Sequence, residues 1–175
     1  MEIDEEVLKI GQFAIKGCAG LTPDGAVFRV PRAEDHPPAL EVPENTKDCV
    51  VYLSVPQRRR GALEVDMTGA ERSAARLRPA ELEVTDTMGE GRKPVTLAVG
   101  KLRLQFALEV DDLADRLVIP IARIIEVKPD REVVLDKAFM PSCLDVRAAP
   151  TLIGFLREVE GLLGHRMTAL AGRLA

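Results

Sequence analysis

A mainly β fold, an antiparallel β-sandwich or open barrel followed by one long C-terminal α-helix, is predicted by three features of this 175-residue sequence. Leu102, Leu104, Phe106, Leu108 and Val110 alternate strictly with Lys101, Arg103, Gln105, Ala107 and Glu109. Period two marks a strand with one wet face and one core face. Short apolar runs divided by Pro- and Gly-bearing turns recur through the first 135 residues, as strands in series do in a sandwich. After Pro150 the apolar residues instead step by threes and fours, which is a helical stripe.

Taken in order, Thr22-Pro23-Asp24-Gly25 places Pro and Gly where a tight reversal needs a fixed and then a positive φ. Flanked by Phe13–Cys18 and Val27–Val30, it predicts a hairpin. Arg32–Asn45, with His36-Pro37-Pro38, reads as an irregular connection. Cys49–Val55 is nearly all apolar and rich in β-branched residues, as in a strand buried on both faces. Arg58-Arg59-Arg60-Gly61 is a solvated loop. Leu63, Val65 and Met67 alternate with polar residues and suggest a short strand, as do Leu82 and Val84. Met88–Pro94 reads as a turn. Val95, Leu97 and Val99 lead to a reversal at Gly100, after which Leu102, Leu104, Phe106 and Leu108 face the core while Arg103 and Gln105 face water. Leu117–Val127 is a further strand, with an edge or bulge expected at Pro120, which lacks a ladder donor. Lys128-Pro129-Asp130 turns into Val133–Leu135. The helix then opens with Pro150 at its first position.

Composition excludes several functions. Aromatics are 3% of residues, with Tyr52 the single tyrosine and no tryptophan, so platforms that stack sugars or bases are missing. The net charge of -4, with no basic stripe, argues against nucleic acid. Cys18, Cys49 and Cys143 are odd in number and far apart, which reads as reduced, core-filling thiols of a cytoplasmic protein. Met1 is followed by the acidic Glu2–Glu6 stretch, unlike a signal peptide, and no apolar run approaches the roughly 20 residues of a membrane span. The expected location is therefore soluble and intracellular.

No constellation for chemistry emerges. His36 and His165 are distant, without zinc-ligand spacing. No serine occupies a G-x-S-x-G elbow. Gly89-Glu90-Gly91-Arg92-Lys93 is followed by Pro94 and a strand rather than the helix a phosphate loop needs, and reads as a hairpin turn. Asp111, Asp112 and Asp115 lack the spacing of a calcium loop and read as a solvated connection. No catalytic, cofactor or metal residue is assigned. The candidate interaction site is the seam Leu152, Leu156, Val159, Leu163, Leu170 and Leu174, interrupted by Arg166. Such a seam requires a neighbour packed alongside. The segment through Leu163 is expected to rest on the sandwich or on a second copy of the chain, with the end beyond Arg166 frayed or captured.

Several segments resemble one family. Pro120-Ile121-Ala122-Arg123, then Val134-Leu135-Asp136, then Ala138-Phe139-Met140-Pro141-Ser142-Cys143-Leu144 follow the pattern P-[VI]-A-R, V-L-D, F-I-P-P-C-L of the TssK (ImpJ/VasE) family of type VI secretion baseplate proteins. Leu21–Gly25, Asp48–Leu53, Val99–Leu104 and Ala148-Ala149-Pro150 continue the resemblance in order along nearly the whole chain. Met140-Pro141-Ser142 departs from the commoner I-P-P. The resemblance implies a β-sandwich over residues 1–148, similar to the shoulder domain of phage receptor-binding proteins. Residues 149–175 would be the truncated start of a helical middle region. Members also carry a His- and Gln-rich N-terminal stretch and a C-terminal domain, so this chain is expected to be a fragment.

The resemblance further implies a structural adaptor at the cytoplasmic face of the inner membrane, without enzymatic activity. It would dock on the wedge proteins TssF and TssG and be homotrimeric when full length. Contact with the membrane complex would run only through the absent C-terminal domain. The alternatives are a small-ligand or carbohydrate-binding sandwich, disfavoured by the aromatic scarcity, and an enzyme, disfavoured by the missing nucleophile.

Overall fold

The computed structural model describes residues 1–68, 73–85 and 94–174, with Arg173 and Leu174 described by backbone alone. The elements are β1 (Glu2–Ile3), α1 (Glu5–Leu8), β2 (Gln12–Phe13), β3 (Ile15–Leu21), β4 (Val27–Val30), β5 (Leu40–Glu41) and β6 (Lys47–Pro56). There follow β7 (Leu77–Thr85), β8 (Pro94–Leu102), β9 (Gln105–Leu108), β10 (Arg116–Val127) and β11 (Val133–Leu135). A 3-10 turn (Val146–Ala148) then leads into α2 (Pro150–Leu174). The pairings between named strands are all antiparallel. They build a β11-β10-β6-β9 sheet, a β1-β3-β4 sheet, a β2-β5 pair and a β7-β8 ribbon.

β6 is the central strand, paired along its length with β10 and through Val51–Ser54 with β9. Its residues Cys49, Val51, Leu53 and Val55 are buried and join Phe13, Ile15, Phe28 and Val30 of β2, β3 and β4, and Val42 just after β5, in one core with Phe106 and Ile124. Phe13 and Phe106 meet edge to face, with ring centroids 5.1 Å apart at 87°. This is the arrangement the aromatic quadrupole favours, and it fastens β2 to β9 across the core. The mainly β architecture with one long C-terminal helix is as the sequence predicts.

The β3–β4 hairpin closes over Thr22–Ala26, with Gly25 at φ +86° and Thr22 Oγ1 accepting from Ala26 N at 2.9 Å. A positive φ suits Gly because it has no Cβ to clash. β3 begins at Ile15, so Phe13 belongs to a separate strand paired with Leu40. At Pro120 the β10–β6 register slips before Ala122, the bulge expected where a ladder donor is missing.

Four local expectations are corrected. The alternating stretch from Lys101 is two strands, not one. At Arg103 the chain leaves the ribbon, where Arg103 N donates to Arg76 O, and turns so that Leu104 N donates to Leu102 O at 3.0 Å. It then pairs with β6 as β9. Leu102, Leu104, Phe106 and Leu108 are buried as expected, but so are Arg103 and Ala107, whereas Val110 is 81% exposed. Layers cover both sides of this crossover, so alternation stops reporting solvent there.

Gly100 is not a reversal. It lies inside β8 opposite Pro79, and a Cβ there would come within 2.8 Å of Leu77 Cδ1. Glycine thus serves close packing. Leu63 and Met67 are exposed, and Val65 makes only an isolated bridge to Leu77, so no strand forms around them. β6 is not sealed on both faces at its start, because Val50 and Tyr52 remain half-buried. The expected turn at Met88–Pro94 lies outside the described residues, except that Pro94 already belongs to β8.

Candidate functional site

α2 starts where the sequence places it, at Pro150, and Ile153 N donates to Ala149 O at 3.1 Å to begin the ladder. Proline suits this position because its missing N–H would have no helical partner there. Within the chain, the helix's substantial contact is with the 3-10 turn just before it. Leu152, Ile153 and Val159 are half-buried, while Leu156, Leu163 and Leu170 are 44%, 57% and 58% exposed. The side chain of Leu174 lies outside the described residues. The structure therefore brings the seam residues onto one helix, and among the described residues no sheet makes a substantial contact with it. Of the two supports expected for the helix through Leu163, the sandwich or a second copy of the chain, the sandwich is not seen to supply it among the described residues.

The apolar surface of α2 is wider than the seam. Phe155, Leu162 and Met167 are also exposed, and at 100° per residue they flank the seam on either side. Counting every apolar residue within a broad arc, rather than steps of three and four alone, would have found them. Four glycines punctuate the helix, and a Cβ at Gly154, Gly161, Gly164 or Gly172 would meet nothing within 4 Å.

A second feature escaped the sequence reading. An open cleft of about 460 Å³ is lined by Pro56, Leu63, Arg58, Arg59, Arg76 and Arg116, among others. Its arginines are largely engaged. Arg58 pairs with Glu64 at 3.0 Å, Arg59 with Asp115, and buried Arg76 with Asp24. Arg116 Nε donates to Ser54 Oγ at 2.9 Å, and that hydroxyl donates onward to Gln105 O at 3.0 Å. Burial, and after it the nearby Arg103 charge, push the Arg116 guanidinium below its usual range. The signal for this cluster was spread over residues 24–116, without local spacing to reveal it.

This arrangement ties loops together and, among the described residues, aligns no nucleophile with a base. Ser54, the hydroxyl deepest in the cluster, is held between a guanidinium and a carbonyl. His36 Nε2 hydrogen-bonds to Lys16 O at 3.1 Å, and His165 lies exposed on α2. Among the described residues no three His, Cys, Asp or Glu side chains converge. Cys49 is buried, Cys18 is half-buried and Cys143 is exposed, so the core-filling reading fails for the last. Asp111 and Asp112 accept from the backbone N–H groups of Leu108 and Ala114, as loop-closing carboxylates do. No helix of the described residues is long and apolar enough to cross a membrane.

Comparison with known proteins gives a consistent result. The sequence profile of the family described as bacterial Type VI secretion, EvfL, ImpJ, VasE matches residues 1–175. The type VI secretion system baseplate component TssK1 of Pseudomonas aeruginosa is 35% identical over 99% of the chain. The chain spans only 39% of that relative's length. A crystal structure of TssK superposes with a TM-score of 0.90 at 29% identity, covering 99% of this chain and 39% of that one. A TssK-TssF-TssG baseplate subcomplex contains a chain of the same fold, with a TM-score of 0.83 at 20% identity, covering 98% of this chain and 57% of that one.

Proposed function

Since the chain belongs to the bacterial type VI secretion family of ImpJ and VasE, we propose that it is a structural, non-enzymatic part of a secretion baseplate. The observation that carries this reading is the whole-chain identity to a baseplate component, 35% over 99% of its residues. Residues 1–148 form the docking domain of this proposal and residues 149–175 a separate helical unit. The partners are the wedge proteins TssF and TssG, with which a relative of the same fold is assembled. The place of action is the cytoplasmic face of the inner membrane. Any link to the membrane complex is assigned to regions of longer members outside this chain.

Exposed apolar surface supports a docking role, because a soluble chain keeps large apolar patches uncovered mainly where something binds. Co-purification tests it. The chain, tagged and co-expressed with TssF and TssG from the same genome, is expected to retain both through size exclusion. Recovery of the chain alone, while the full-length family member from that genome holds both partners, overturns the assignment of wedge docking to residues 1–148.

A further inference from the structure

Charge does not balance at the cleft beside the end of β6. Arg58 faces Glu64, Arg59 faces Asp115 and Arg76 faces Asp24, so each of these cations has its own carboxylate. Next to them, buried Arg103 has Nη2 3.9 Å from Asp66 Oδ2 and Nε donating to Ala75 O at 3.3 Å. Asp66 in turn accepts from the Thr68 N–H at 2.8 Å and from its hydroxyl at 2.6 Å. Arg116, the first residue of β10, has no such counter-ion among the described residues. Its Nε donates to the uncharged Ser54 hydroxyl at 2.9 Å. Its Nη2 is buried without a hydrogen-bond partner, and Arg103 sets a like charge nearby.

A buried charged donor left unpaired is costly. An anion within reach recovers that cost, and charge-assisted bonds are strong where water is scarce. Arg116 lines the cleft and is half-buried, so an anion approaches it from that side. Turning the guanidinium toward the anion breaks one bond to a neutral hydroxyl and relieves the repulsion from Arg103.

The surplus and the lining define the class of ligand. One positive charge is left over, while Glu64, Asp66 and Asp115 also line the cleft. A phosphate dianion would bring more negative charge than the site can match. A single carboxylate matches it, and a guanidinium binds a carboxylate through two parallel N–H bonds. Pro56, Ala62, Leu63 and Ala75 give the space of about 460 Å³ apolar walls, which suit a short apolar stem.

We propose that the cleft is a carboxylate-binding site anchored by Arg116, taking one monocarboxylate on a short apolar stem. Neither wedge protein takes part in it, so it stands or falls apart from the baseplate reading.

Titration followed by NMR tests it, with butyrate, N-acetylglutamate amide and inorganic phosphate as probes. The Arg116 Nε–H signal is expected to move saturably with the two carboxylates and little with phosphate. Tighter binding of the glutamate derivative names a polypeptide side chain as the source of the carboxylate, and tighter binding of butyrate a free aliphatic acid. Arg116→Gln should weaken binding, read on the Gln57 and Ala75 amides, by at least roughly tenfold, the loss of a charge-assisted bond. Leu63→Asp is the second variant. Leu63 is 83% exposed, so its replacement leaves the core intact, and the added negative charge should weaken carboxylate binding severalfold. Phosphate binding as tightly as either carboxylate overturns the proposal. So does a response that never saturates, which would mean an adventitious ion only, and so does undiminished affinity in either folded variant.

Discussion

Arg76 Nη2 donates to Asp24 Oδ1 at 2.9 Å, and the Arg76 side chain is only 3% exposed. Its Nη1 donates to Pro56 O at 3.0 Å. One guanidinium therefore ties the β3–β4 turn, the end of β6 and the approach to β7. Removing one partner of a buried pair leaves an uncompensated charge, which is costlier than losing both. Asp24 is 32% exposed, so Asp24→Ala should cost about 1.5–2 kcal/mol in urea unfolding, the loss of one charged hydrogen bond to a buried guanidinium. Adding Arg76→Met should return part of that loss, because a buried charge is replaced by an apolar chain of similar length. A double variant less stable than Asp24→Ala alone would contradict this account.

Acid should unfold the protein partly through Asp66. The Thr68 hydroxyl first, then the Ser73 hydroxyl and the Thr68 N–H, hold its carboxyl down at about 2. An unfolded aspartate titrates near about 3.9. The folded value is the lower one, so this stabilisation is complete above about pH 4 and is lost as pH falls toward about 2. Asp24, lowered chiefly by the Thr22 hydroxyl and then by Arg76, acts with the same sign. Asp66→Asn should show a shallower decline of melting temperature than the parent over that window. An equally steep decline would remove Asp66 from the explanation.

Phe106 should be among the most sensitive core positions. It packs edge to face on Phe13, whose exposure is 0%, and it lies beside β6 opposite Leu53. Phe106→Ala removes the aromatic pair and leaves a cavity between layers, at a cost of roughly 3–5 kcal/mol. Chemical denaturation measures it directly. A loss below about 1 kcal/mol would mean that the layers collapse onto the vacancy.

Local chemistry made some of this fold legible. Thr22–Gly25 and Pro120 announced a turn and a bulge because φ limits and a missing N–H act on the residues that carry them. Pro150 announced the helix for the same reason. The register of Leu102, Leu104, Phe106 and Leu108 was readable because alternation encodes facing. What the alternation omits is which layer a strand faces, so burial of Arg103 and the strand break beside it were hidden. Of the candidate site, the seam residues were legible as a stripe. Their lack of an intrachain partner was not, since a stripe records only that something must cover it.

The last prediction concerns the glycines of α2. Each glycine costs a helix about 1 kcal/mol relative to alanine, and in proteins most helical stability comes from tertiary packing rather than from propensity. α2 is half-buried at Leu152, Ile153 and Val159 and exposed from Glu160 through Gly172. Amide exchange in a dilute monomer should therefore be slow near Ile153 and fast beyond Val159. Gly161→Ala and Gly164→Ala add methyl groups that meet nothing within 4 Å, so nothing in the fold opposes them. Together they should raise the far-UV helical signal and extend protection toward Leu170, while the sandwich unfolds at the parent's denaturant midpoint. If exchange beyond Val159 is already slow in the dilute parent, or if the two alanines leave it unchanged, the distal helix is held by something other than its own propensity.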